Sequence, residues 1–345
     1  MQPASTSAAS APVGSHSWKS ARCLRMEERV VADPLDADAW EMLLNEAQKQ
    51  TPADYRPLFE RCMQHFPSAA ICWYYWITTE LQARDVAQVE SLFERCLLLC
   101  QHMELWSMYV RYLKQEKRAG PKELVPALKL LLDTVGADVK SGPLWLEYIG
   151  LLRDQVEPGA MPTAASVTAV REVYQRALVQ PAIGLEALWK EYEAWEAVQS
   201  RDNAKAVLAE VADEALVARR VARERKVLVD QLELKMMPRR PRGTQRESTQ
   251  LRAWRALWEY EASNPQRLPP DELQGRMRYT FNQALMVSWF TPQVRACARD
   301  ACARERESAR GIAVGGGGSG CSSRSSSHSS TLVAVTSHTR HAMRM

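Results

Sequence analysis

Glycine is scarce in this chain, with 15 in 345 residues. So few leave little material for a turn-dense β-sandwich or barrel, which needs turns at short, regular spacing. No apolar run approaches the roughly 20 residues of a membrane-spanning helix. There is no C-x-x-C pair, so the spacing of a zinc ribbon is missing. Also missing are G-x-S-x-G, a P-loop, a G-x-G-x-x-G after a strand and H-E-x-x-H. The run GGGGSG at 315–320 has no strand before it and no Lys after it, and reads as a flexible segment. These absences leave no enzyme class to favour and no cofactor or metal to expect.

Charge of one sign is also lacking over most of the length. The formal net charge is +4, from 45 Lys and Arg against 41 Asp and Glu. Residues 293–345 alone hold eight Arg, no Lys and three acidic residues, so residues 1–292 are close to neutral. A neutral body excludes nucleic-acid binding driven by bulk charge.

Tryptophan is plentiful, at 11 residues. The stretch CWYYWITTELQARDVAQVESLFERCLLLC, Cys72 to Cys100, shows how it is used. Residues 73, 76, 77, 80 and 81 follow the spacing of one helical face. ARD at 83–85 is a short polar turn, after which Val86, Val89, Leu92, Phe93, Cys96, Leu97 and Cys100 form a second apolar stripe. Two helices joined by so short a turn fold back on one another. Cys96 and Cys100, set among three leucines, read as small core residues rather than metal ligands.

One such hairpin cannot bury both stripes, and copies of it recur. Trp40, Trp73, Trp106, Trp145, Trp189 and Trp254 each open a first helix. The second helices carry LFERCM, LFERCL, ALKLLLDTVG, VYQRAL, a long pattern from about 203 to 235, and TFNQAL. The tryptophans step by 33, 33, 39, 44 and 65 residues, the longer steps containing KRAGPKE, VEPGAMPTAAS and PRRPRGTQRES. A large aromatic on the first helix and a small Cys or Ala on the second let neighbouring hairpins stack. The predicted core signature is Trp40, Phe59, Trp73, Phe93, Trp106, Trp145, Tyr174, Trp189, Trp254 and Phe281. Asp54 is expected to cap a helix whose first turn holds Pro57. Glu80-type carboxylates and Arg95-type guanidiniums recur and are expected to pair between repeats.

This grammar resembles the HAT (half-a-TPR) repeat. The blocks DPLDADAWEMLLNEAQ, LFERCLLLCQHMELWSMYVRYL, AVREVYQRALVQPAIGLEALWKEYEAWE, ARRVARE and YEASNPQRL, in this order, resemble the suppressor-of-forked family from about Arg29 to Pro292. The family contains the HAT-repeat scaffold of cleavage stimulation factor. The resemblance implies an all-α fold, an α-α superhelix of HAT/TPR-like hairpins. It implies a nuclear, non-catalytic role in pre-mRNA cleavage and polyadenylation. Its partners would be other subunits of that machinery, with pre-mRNA bound weakly or indirectly, no membrane and no cofactor. A HAT-repeat splicing scaffold of the crooked-neck type and an organellar RNA-maturation factor are the alternatives.

The resemblance stops near SWFTPQV, so the chain reads as a shortened form, and the family's homodimer is not carried over to it. The layout expected is a disordered tail at 1–23, an array of about six repeats at 24–292, and a disordered Gly/Ser/Arg tail at 293–345. The last hairpin, around Phe281 and Leu285, is expected to lack a capping neighbour. The Ser/Ala-rich N-terminus, with no acidic residue before Glu27, has the composition of a transit peptide or of an ordinary tail, and the tail is preferred. For RNA or partner contact the candidates are Arg219, Arg220 and Arg223 in a basic helical run that includes Arg225 and Lys226. Arg239, Arg240, Arg242 and Arg246 in the following loop complete the set.

Overall fold

Helix follows helix through all described residues, as the apolar periodicity predicts. The computed structural model describes residues 20–154, 163–199 and 203–297. Among these there are thirteen α-helices up to Ser288, a further helical stretch at 292–297, and no strand. The chain divides into two compact units, Met1–His65 and Phe66–Met345.

The first unit holds α1 (Ala21–Ala32), α2 (Ala37–Ala47) and α3 (Pro52–His65). Ser20 starts α1 by accepting from the Cys23 N–H at 3.2 Å, a side-chain cap of the usual kind. The helix therefore begins inside the tail expected at 1–23. Asp36 caps α2 in the same way, through the Ala39 N–H at 3.1 Å. The third helix starts earlier than expected. Pro52 opens α3, where its missing N–H costs nothing; Asp54 lies in the first turn and Pro57 inside the helix.

The second unit continues with hairpins. They are α4 (Ala70–Ala83) with α5 (Val86–Leu99), and α6 (Met103–Gln115) with α7 (Pro121–Val135). Then come α8 (Gly142–Asp154) with α9 (Ala164–Leu178), α10 (Leu185–Gln199) with α11 (Ala204–Val229), and α12 (Gln245–Ala262) with α13 (Pro270–Ser288). The ARD turn works as read: Arg84 takes the left-handed conformation at φ 58°, and Asp85 caps α5 through the Gln88 N–H at 3.1 Å. Thr244 and Glu247 close a reciprocal capping box at the start of α12.

The signature residues Trp40, Phe59, Trp73, Phe93, Trp106, Trp145, Tyr174, Trp254 and Phe281 are all buried. Trp189 is half-buried at the edge of the core formed by α6 to α11. Cys96 and Cys100 are fully buried free thiols, and burial pushes the Cys96 thiol up to about 12.

The last hairpin differs most from expectation, because it is not left bare. Phe281 is 7% exposed and Leu285 half-buried, and both pack in a cluster with Trp254, Trp258 and Val294. Val294 comes from residues 292–297, which are helical and cover this hairpin. In addition, α12, α13 and the residues that join and follow them reach the loops before successive first helices. Gln266 donates to the Val179 carbonyl, Tyr279 to Asp138 at 2.7 Å, and Gln283 to the Gln101 carbonyl. Phe290 meets Phe66 edge-on, ring centroids 6.2 Å apart. α13 thus acts as a strut along the loops of its own unit, a long-range placement that repeat spacing alone does not encode. The remaining residues of the two expected tails, 1–19 and 298–345, lie outside the described residues.

Replacing Trp73 with Ala empties a site that is 1% exposed. We expect a loss of about 3–5 kcal/mol, measured by urea unfolding of the second unit's signal. An unchanged midpoint would mean that the stack does not depend on this residue.

Candidate interaction surface

The first three repeats anchor their leading tryptophan by the same hydrogen bond. The Trp40, Trp73 and Trp106 indoles donate to the carbonyl six residues earlier: Pro34 at 2.9 Å, Pro67 at 2.8 Å and Cys100 at 3.3 Å. An arginine of the second helix then lies over the ring. Arg61 covers Trp40, Arg95 covers Trp73, Arg176 covers Trp145 and Arg219 covers Trp189, at 5.2–5.5 Å from the ring centroid. These are cation–π distances.

The Arg95-type guanidiniums thus cover the indole face as well as pairing between elements. Arg61 and Arg176 also reach carboxylates, Glu27 and Asp133. In the third repeat Leu130 stands where four others place Arg, and it is 51% exposed. The fourth repeat departs in another way. Its equivalent carbonyl, Val139, accepts instead from the Ile183 N–H at 2.7 Å, and the buried Trp145 Nε1 has no partner. A Cβ on Gly142 would meet the Ile183 carbonyl at 1.8 Å, so this crossing requires glycine.

The recurrent carboxylates sit seven residues after a tryptophan, as Glu80, Glu196 and Glu261, and all are buried. Glu80 accepts from Trp76 Nε1 at 3.1 Å. Glu196 takes both prongs of Arg171, at 2.6 and 3.0 Å. Glu261 accepts from Arg225 Nε at 2.6 Å. Among the described residues no group of three or more His, Cys, Asp or Glu could hold a metal ion. No helix among the described residues is long and apolar enough to cross a membrane.

The arginines proposed as contacts separate into different environments. Arg225 does not belong to the surface run: it is 2% exposed. Besides Glu261 it donates to the Ala137 and Pro181 carbonyls, which ties α11 and α12 to two earlier loops. Arg219 is occupied by Trp189. Arg223 pairs with Glu186 at 2.8 Å while staying largely exposed, and Lys226 pairs with Asp230. Arg220 projects outward from α11. In the loop, Arg239 is half-buried and Arg240 and Arg242 are exposed. Arg246 holds Glu233 through Nε at 3.0 Å, and the Arg242 N–H donates to Glu247 at 2.9 Å.

Sequence reading missed the neighbours of this loop. Lys235 reaches α6, pairing with Glu104 at 2.8 Å, and that hydrogen bond raises its pKa. Glu104 opens α6, and α6 packs against α4, the helix of Tyr74 and Tyr75. On α12, Arg252 and Arg255 add further exposed charge. Only the Arg-rich composition of 239–255 could have signalled the extension.

Tandem Trp-headed hairpins, with an arginine over the indole in four of six, define a helical-repeat array of the HAT type. The family model described as suppressor of forked protein (Suf) matches residues 21–325, and the chain belongs to that family. It is 31% identical over 268 residues to cleavage stimulation factor subunit 77 of Arabidopsis thaliana, 76% of this chain and 36% of that protein. It is 31% identical over 281 residues to protein suppressor of forked of Drosophila melanogaster, 80% of this chain and 37% of that protein. The mRNA 3'-end-processing protein rna14 of Schizosaccharomyces pombe is 28% identical over 276 residues, 78% and 38% of the two chains. The chain therefore matches little more than a third of the length of these relatives. A crystal structure of CstF-77 shares the fold, with a TM-score of 0.52 at 20% identity, over 64% of this chain and 43% of that one.

Two outcomes test this geometry. Arg225→Leu leaves the Glu261 carboxylate buried beside a lost partner and should cost about 3–5 kcal/mol. Arg225→Leu with Glu261→Leu should recover part of that loss, because no buried charge is left unpaired. Equal loss in the single and double variants, by denaturant unfolding, would refute the pairing energetics.

His102 supplies a pH dependence. Burial lowers its pKa, against the carboxylates of Glu104 and Asp138 and together with the cations Lys235 and Lys140. The unfolded chain then binds the proton first, so this contribution is whole above about pH 6.5 and falls as the pH drops below it. His102→Asn should flatten that part of the stability–pH curve. The same curve for both proteins would show that His102 is not its source.

Proposed function

We propose that the chain is a non-catalytic scaffold in mRNA 3'-end processing, acting in the nucleus among other subunits of the cleavage and polyadenylation machinery. Its repeat array takes in residues 21–297, slightly more at both ends than the 24–292 read from the sequence, and pre-mRNA contact is weak and local. The observation that carries this reading is the family match over residues 21–325. The relatives' names, which include cleavage stimulation factor subunit 77 and mRNA 3'-end-processing protein, favour it over a splicing or organellar role. The site chemistry agrees. Each recurrent buried carboxylate is held by Trp76, Arg171 or Arg225, so these groups serve packing and are not set up as acids or bases. Such an array offers helix faces and loops to protein partners.

The test is association. The full chain, tagged and expressed in its own cells, should fractionate with the nucleus and co-purify with cleavage and polyadenylation subunits identified by mass spectrometry. A Trp73→Ala variant, destabilised in its stack, should lose them. Absence of those subunits at wild-type sequence would overturn the proposal.

A further inference from the structure

Tyr74 and Tyr75 are the two aromatic residues of α4 that the core does not take. Their neighbours Trp73 and Trp76 are each 1% exposed and stack in parallel, centroids 5.9 Å apart. Tyr75 is 36% exposed, and among the described residues it is the one aromatic in the exposed class. Its ring meets Tyr74 edge-on, with centroids at 6.1 Å. Side chains at positions one and two after a core tryptophan leave the buried face of a helix, so packing accounts for the tryptophans and not for the tyrosines.

A basic segment from far along the chain arrives at this place. Lys235 is anchored to Glu104 at the start of α6, the helix that packs against α4, with its side chain still 63% exposed. Behind it Met237 is fully buried and Pro238 buried, which pins the chain. The loop then leaves the core with Arg240 and Arg242 exposed. Residues 239–255 carry six Arg and a single acidic residue, Glu247. Five residues of extended chain reach at most about 17 Å, so Arg240 stays within that distance of Lys235.

We propose that Tyr74, Tyr75, Lys235, Arg240 and Arg242 form a contact site for single-stranded RNA, with a base stacked on Tyr75 and the phosphates following the basic loop. The proposal rests on the reading of this loop as a contact surface and gives it a ligand class. Exposed aromatic rings beside a cationic track are the combination that single strands use, because every base has a face to stack. An acidic protein segment would use the arginines and gain nothing from an exposed tyrosine. A duplex keeps its bases stacked inside and has none to offer.

The test uses the full chain and a fluorescent oligouridylate of about 15 nucleotides, followed by anisotropy. Tyr75→Ala should weaken binding about five-fold or more, and Tyr75→Phe should keep it within about two-fold. Replacing Arg239, Arg240 and Arg242 together with Gln should lower the slope of log affinity against log salt by about 2. Ultraviolet cross-linking to a photoreactive uridine should map to the peptide holding Tyr74 and Tyr75. Binding of Tyr75→Ala at wild-type strength, a duplex bound as tightly as the single strand, or displacement of the RNA by polyglutamate would each overturn the site. The last outcome would mark the loop as a surface for acidic protein. No RNA binding by the wild-type chain, with co-purification intact, overturns this inference alone. Lost co-purification with intact RNA binding overturns the scaffold proposal alone.

Discussion

The clamp on the leading tryptophan is what the stack depends on. The indole is large and apolar, but its N–H must find an acceptor when buried. A carbonyl six residues upstream supplies it for Trp40, Trp73 and Trp106. That bond fixes the loop entering the helix as well as the side chain. The arginine from the second helix then closes the exposed face of the ring, as Arg95 does over both Trp73 and Trp76. One residue thereby joins the loop, its own helix and the partner helix. The exceptions carry information: where Ile183 takes the Val139 carbonyl, two repeats are joined through backbone and Trp145 forgoes its bond.

Buried charge in this protein serves the same purpose of connection. Arg225 joins Glu261 to two loop carbonyls distant in sequence. A buried ion pair adds little net stability compared with apolar packing, yet breaking it is costly. The gain is in placement: α12 and α13 are held against the loops that precede the earlier helices. Arg276, buried nearby, has its pKa lowered to about 10 by burial and by the neighbouring Arg225 cation. It donates to Gln266, which in turn reaches Val179. The strut made by α13 is therefore held by polar contacts at one end and by the Phe66–Phe290 contact at the other.

These connections leave particular surfaces for partners. On α11 one side is spent on the core through Val211, Ala215, Ala218 and Ala222, while Leu216, Arg220, Arg223 and Val227 remain outside. Most cations there have an acidic neighbour, so the surface is polar without being strongly positive. The loop after α11 is different in composition, with six Arg and one acidic residue over 239–255. Its position beside α4 brings together residues more than 150 apart in the chain.

Local sequence determined the helices and their pairing. Periodic apolar residues, the ARD turn and the recurring tryptophans each act within a single hairpin, so about six hairpins could be read directly from spacing. The core role of Phe59 or Tyr174 followed from the same register. Tertiary structure decided the rest. Whether Arg225 faces water or Glu261 depends on a helix 36 residues away, and nothing in the basic run distinguishes it from Arg223. Whether Tyr75 has a basic neighbour depends on where the segment after α11 lands. The last hairpin was expected to be bare because stacking rules treat only adjacent repeats. Its cover comes from residues 292–297 and from contacts with distant loops. Spacing reports which residues share a helix face; long-range packing alone sets what that face meets.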